Sequence, residues 1–162
     1  MRTKVLSALL ALALPVFGGC GGGSSAAPSV VTPTPLPVAD RAVVTMTLPT
    51  GFVTPTPSGD PDFPFLAQWD ATLMETAGLG GNVNFYTIGF GGSTFPPIEF
   101  DVNWVIRAGG TNHLQARGSL KIPMAIEYRL GFGQTVAVEE ITVDFTDDHG
   151  HNMQLKGTVT TR

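Results

Sequence analysis

Leu120-Lys121-Ile122-Pro123-Met124-Ala125-Ile126-Glu127-Tyr128-Arg129-Leu130 is the stretch that decides the fold class. Every second residue is large and apolar, and those between are charged, small or proline. Side chains along a strand alternate between faces, so this stretch sends one row into a core and the other into water.

Similar rows lie on either side. Phe65, Ala67, Trp69, Ala71 and Leu73 make one, and Val44, Met46 and Leu48 a shorter one. Phe100, Val102, Trp104 and Ile106 alternate with Glu99, Asp101, Asn103 and Val105, which predicts a further strand. Ile141, Val143 and Phe145 face Met153, Leu155, Gly157 and Val159 across Asp147-Asp148-His149-Gly150, a turn sequence with glycine where a left-handed backbone is needed. The reading is a hairpin turning near Asp148. Val136 and Val138 are out of phase with Ile141, so a bulge or bend is expected at Glu139-Glu140. No stretch after the N-terminal segment shows a helical period. Six to eight short strands with one apolar face each imply an all-β fold: a two-sheet antiparallel β-sandwich of about seven strands over residues 42–162, behind a disordered tether. A closed barrel would need about eight strands joined by tight hairpins, and the Pro-rich stretch from Pro49 to Pro64 argues against it.

This pattern resembles an immunoglobulin-like or fibronectin-III-like sandwich in architecture, without the paired cysteines of antibody domains. Glu75-Thr76-Ala77-Gly78-Leu79-Gly80 and Asp147-Asp148-His149-Gly150 also resemble loops of β-sandwich modules in bacterial surface lipoproteins. That resemblance implies a surface location and names no ligand.

The N-terminus carries the most definite chemistry. Arg2 and Lys4 precede an apolar run from Val5 to Phe17, and Gly18 and Gly19 lead into Cys20. A basic start, a short apolar run and a small-residue exit describe a secretory signal over residues 1–19, too short for a permanent transmembrane helix. Val16-Phe17-Gly18-Gly19-Cys20 resembles the lipobox of bacterial lipoproteins, with Phe17 where leucine is usual. The resemblance implies cleavage before Cys20 and a lipid on its thiol, hence a membrane partner. Cys20 is the chain's single cysteine, and an unpaired cysteine in an exported protein needs such an explanation. Several acyl chains retain a protein where one holds only marginally. Gly21 stands where inner-membrane lipoproteins commonly carry aspartate, so the expected location is the cell envelope, with the outer membrane preferred.

Residues 20–41 begin Gly/Ser-rich and become Pro-rich, a spacer reaching about 25 Å. Val-Thr-Pro-Thr-Pro occurs at Val31–Pro35 and again at Val53–Pro57, as low complexity in exposed segments or as threonine glycosylation sites. Without Arg2 and Lys4, seven basic residues face thirteen acidic ones, and no basic cluster exists, which points away from nucleic acid.

Catalysis finds no constellation. There is no Gly-x-Ser-x-Gly elbow, and Glu139 and Glu140 point opposite ways in a strand, as neighbours on a solvated edge. His149 and His151 beside Asp147 and Asp148 are the one close group of metal-ligand types, with His113 elsewhere; Asp and Gly are what the turn requires anyway, and no metal or other cofactor is expected. Asp60 and Asp62 lack calcium-loop spacing. Gly89-Phe90-Gly91-Gly92-Ser93-Thr94-Phe95-Pro96-Pro97 is the candidate binding loop: Phe90 and Phe95 either plug the end of the core or present an apolar patch. The expected function is a non-catalytic envelope module binding a protein or glycan, or acting structurally. The second reading is a carrier holding an apolar ligand, which requires a cavity lined by residues such as Trp69, Phe100 and Trp104. The third is a metal-binding lipoprotein built on His149 and His151.

Overall fold

Two strands anchor the architecture, each at the centre of its own sheet. The computed structural model describes residues 39–162; the expected export signal, Cys20, the expected tether up to Val38 and the first Val-Thr-Pro-Thr-Pro copy lie outside them. In chain order the elements are β1 (Val44–Thr47), β2 (Phe52–Val53), β3 (Thr56–Pro57), β4 (Phe65–Glu75), β5 (Gly81–Phe90), β6 (Ile98–Asp101), α1 (Val102–Gly109), β7 (His113–Leu114), β8 (Ser119–Tyr128), β9 (Ala137–Asp147) and β10 (Asn152–Thr161). In the first sheet β4 pairs with β8 on one side and with β1 and β3 on the other. In the second the order is β2-β10-β9-β5-β6, with β7 also on β5. All pairings are antiparallel except the two-residue parallel match of β2 with β10, a departure from the antiparallel expectation.

The inward rows meet in one apolar cluster. Ala67, Trp69, Ala71 and Leu73 of β4 and Leu120 to Tyr128 of β8 pack with Tyr86, Ile88, Ile141, Val143, Phe145 and Val159 of the second sheet. Strict alternation in β8 holds along its length, with all even-numbered residues buried and all odd ones exposed. Pro123 interrupts no ladder bond because β8 is an edge strand, where the missing N–H faces outward. On the opposite flank the second Val-Thr-Pro-Thr-Pro copy is ordered: β2 lies on β10 and β3 on β4, so the chain stitches the two sheets together there. Gly157 helps close that flank. A Cβ there would lie 2.6 Å from Leu48 Cδ1 and 3.2 Å from Met46 Cε, so those side chains would have to shift to admit one.

Three expectations are corrected. The predicted strand at 99–106 stops at Asp101 and becomes α1. Asp101 accepts the Trp104 N–H at 3.1 Å as an N-cap, and Gly110, at φ 80°, ends the helix with its N–H on the Ile106 carbonyl. Within α1 only Val105 is fully buried, with Val102 and Gly109 half-buried, a helical spacing hidden inside an apparent alternation. The bulge expected at Glu139-Glu140 is absent, because β9 pairs with β10 without interruption from Ala137 to Thr146. A register shift falls instead between Val83 and Phe85 of β5. Glu139 is not on a solvated edge but fully buried. The hairpin at Asp147–His151 is as expected, with Gly150 at φ 87°.

Candidate functional site

Both sheets end on one flank in edge strands, β8 and β6, and between them lies an open cleft of about 750 Å³. Near Gly80, β7 narrows this flank by pairing with the start of β5 while also touching β4 and β8. The C-terminal end of α1 covers part of β8: a Cβ on Gly109 would lie 3.0 Å from the Lys121 carbonyl.

The cleft is aromatic because of the local structure on each side. The register shift at Asn84 switches which parity of β5 faces inward, from Gly81 and Val83 to Tyr86 and Ile88. Asn84 holds that irregularity through bonds of 2.7 Å to Asp144 Oδ1 and Thr146 Oγ1. Tyr86 is thereby opposite Phe100 of β6, and the two rings stack at 4.7 Å and 13°. The helix turn after Asp101 swings Trp104 edge-on to Phe100 at 5.8 Å, with the Arg107 guanidinium 5.2 Å from the indole. Trp69, Met124 and Ile126 enter from the first sheet. Trp69 is buried, and its indole N–H finds no acceptor among the described residues. Burial pushes the Tyr86 hydroxyl pKa up to about 12, so it stays a neutral donor. The charged lining residues are Asp70, paired with Lys121 at 2.8 Å, and Glu127, which has no ion pair among the described residues.

The two ends of the sheet pair differ. At the end where the chain enters, two buried carboxylates clamp consecutive backbone groups. Asp147 of β9 accepts the N–H of Ala42 at 3.2 Å, of His149 at 3.0 Å and of His151 at 2.8 Å. Glu75 of β4 accepts those of Val43 at 3.3 Å, Ala77 at 2.7 Å, Gly78 at 2.9 Å and Arg117 at 2.8 Å. Burial alone would raise both pKa values, but the converging N–H groups outweigh it and bring each to about 2. The other end carries exposed apolar tips, Phe95 at 82% exposure and the fully exposed Phe132, together with half-exposed Phe63 and Ile98. Just inside it, burial raises the Glu139 pKa; Thr161 donates to Glu139 Oε1 at 2.7 Å, while Oε2 and the Tyr128 hydroxyl have no partner of good geometry among the described residues.

The proposed binding loop is divided by the structure. Phe90 packs on the core with its ring 6.1 Å from Tyr128, and Phe95 projects into solvent. The rings of His149 and His151 lie 6.4 Å apart at 74°, with His149 Nδ1 3.0 Å from the Asp40 carbonyl and His151 Nδ1 3.1 Å from Asp147 Oδ2. His113 is on β7, beside Asn82. Among the described residues no three His, Cys, Asp or Glu side chains gather as a metal site, and no helix is long and apolar enough to cross a membrane. Trp69, Phe100 and Trp104, named together from sequence as walls of a carrier cavity, do line one cleft. Tyr86 was missed, since nothing in the sequence marks the register shift that aims it.

No protein-family model matches the chain, and no curated protein matches it. Among solved structures, a putative ApaA protein from Bordetella pertussis is similar at TM-score 0.51 and 10% identity, over 76% of this chain and 95% of that one. A structural-genomics protein designated SoR45 is similar at TM-score 0.45 and 8% identity, over 75% and 84%. The alkylpurine DNA glycosylase AlkC of Pseudomonas fluorescens reaches TM-score 0.37 and 17% identity over 74% of this chain and 30% of its own. At such identities the first likeness shows a shared fold and nothing of function, and the other two carry no argument.

Proposed function

We propose that the chain is a lipid-anchored, non-catalytic binding module of the bacterial cell envelope, an immunoglobulin-like sandwich whose open seam receives a ligand. The aromatic cleft carries this reading. Tyr86, Phe100 and Trp104 from one sheet and its helix, and Trp69 from the other, surround about 750 Å³, within the range of roughly 300–1,000 Å³ usual for ligand sites. This favours a ligand-holding protein over a purely structural spacer, whose core would be filled throughout. The immunoglobulin-like part of the reading is supported by seven strands of four residues or more in two sheets. The anchor rests on the lipobox resemblance at Cys20.

Both tryptophans of the chain line the cleft, so intrinsic fluorescence reports on this site alone. Titrating the full chain with laurate, with a chitin hexasaccharide and with a pool of envelope peptides is expected to give a saturable emission shift with one class, lost in Phe100→Ala. No shift with any class would refute the cleft as a ligand site. Palmitate-analogue labelling tests the anchor, and labelling that survives Cys20→Ser overturns it.

A further inference from the structure

We propose that the occupant of this cleft is an extended peptide segment of a partner protein, which adds as a strand to the free edge of β8; the proposal rests on the cleft being the ligand site. Residues along an antiparallel strand direct their backbone groups alternately toward one neighbour and the other. The Lys121 carbonyl points at Gly109 of α1, away from β4. Lys121, Pro123, Ala125 and Glu127 therefore share the outward direction, which explains why proline is tolerated at 123. The helix covers the Lys121 end. Beyond it, the N–H and C=O of Ala125 and Glu127 and the C=O of Pro123 have no partner among the described residues, and they border the cleft. The edge of β6 facing away from β5 is likewise unpaired among the described residues.

An added strand matches this arrangement in backbone, side chains and charge. Its backbone completes the Pro123–Glu127 edge, about 17 Å long at about 3.4 Å per residue. Alternate side chains face Tyr86, Phe100 and Trp104, where apolar groups are favoured. The intervening ones lie on the solvent face beside Ala125 and Glu127, where the Glu127 carboxylate, without an ion pair among the described residues, favours lysine or arginine directly opposite. The recognised pattern is thus apolar residues at every second position with a basic residue between them. A glycan would use the aromatic faces and leave the strand edge unpaired, as would a fatty acid.

Selection of a displayed library of twelve-residue peptides on the full chain in lipid nanodiscs, with counter-selection on Trp104→Ala, tests this directly. Peptides with the alternating apolar and basic pattern should be enriched. Bound peptide should slow hydrogen exchange at the Ala125 and Glu127 amides about tenfold or more, the effect of one added hydrogen bond each. N-methylation at alternate peptide residues should abolish binding in one phase and spare it in the other. Laurate or the chitin hexasaccharide shifting the tryptophan emission without protecting those amides, with no peptide enriched, would overturn strand addition while leaving the cleft a ligand site. No response to any probe would overturn both.

Discussion

Replacing Glu75 by glutamine removes a single charge and no volume, yet it should unlock the loops it holds at its end of the two sheets. The carboxylate receives four backbone N–H groups, from Val43 and Ala77 on one oxygen and from Gly78 and Arg117 on the other. A glutamine in the same place keeps one oxygen and turns an NH2 toward the remaining two donors, so two bonds are lost and two N–H groups stranded. The carboxyl pKa falls from 4.5 to about 2 on folding. At about 1.4 kcal/mol per pKa unit this is at most about 3.5 kcal/mol favouring the ionised form. The stranded donors are the physical source of that figure, so a loss of about 2–4 kcal/mol is expected near neutral pH. The pH dependence gives a second check. With the folded pKa below the unfolded one, the unfolded state binds more protons between them. The stabilisation is thus complete above about pH 5 and is lost as pH falls toward 2. Urea unfolding followed by tryptophan emission should show a smaller acid-induced loss in the variant than in the parent, the remainder belonging to Asp147. A variant within about 0.5 kcal/mol of the parent, with the same acid dependence, would refute the clamp.

Glu139 has the opposite sign. Burial raises its folded pKa, so the folded state holds the proton longer and stability falls as pH rises from about 4.5 through the folded value. Glu139→Gln keeps an acceptor for Thr161, and urea unfolding across that window should show this decline removed. The Trp104 N–H, foremost, holds the Asp101 carboxyl below its ordinary range. Asp101→Ala should fray α1, giving roughly several-fold faster amide exchange confined to that helix. Gly81→Ala should be severe. Its Cβ would strike the Thr146 carbonyl and the Phe145 ring, so a loss of about 3 kcal/mol, or roughly 10 °C in Tm by calorimetry, is expected.

The sequence by itself determined which residues of β4, β8, β9 and β10 face the core, because a period of two along a buried strand is a local consequence of backbone geometry. It also located the Asp147–His151 turn, where glycine chemistry is local. What failed was equally physical. Asp101 to Gly110 satisfies an alternating pattern and a helical one at once over so short a span, and the cap and the left-handed Gly110 decided between them. Glu139 looked like a solvated carboxylate because its burial depends on β10 and on Thr161, twenty-two residues away. Trp69, Phe100 and Trp104 were legible as wall candidates, but Tyr86 was not: a one-residue register shift turns it inward, and that shift is held by Asn84 reaching Asp144, sixty residues on. Only the tertiary structure decided that β6 and β8 end their sheets on the same flank and leave a seam between them, because an edge is a property of which strands pair, and pairing is not written in any one strand.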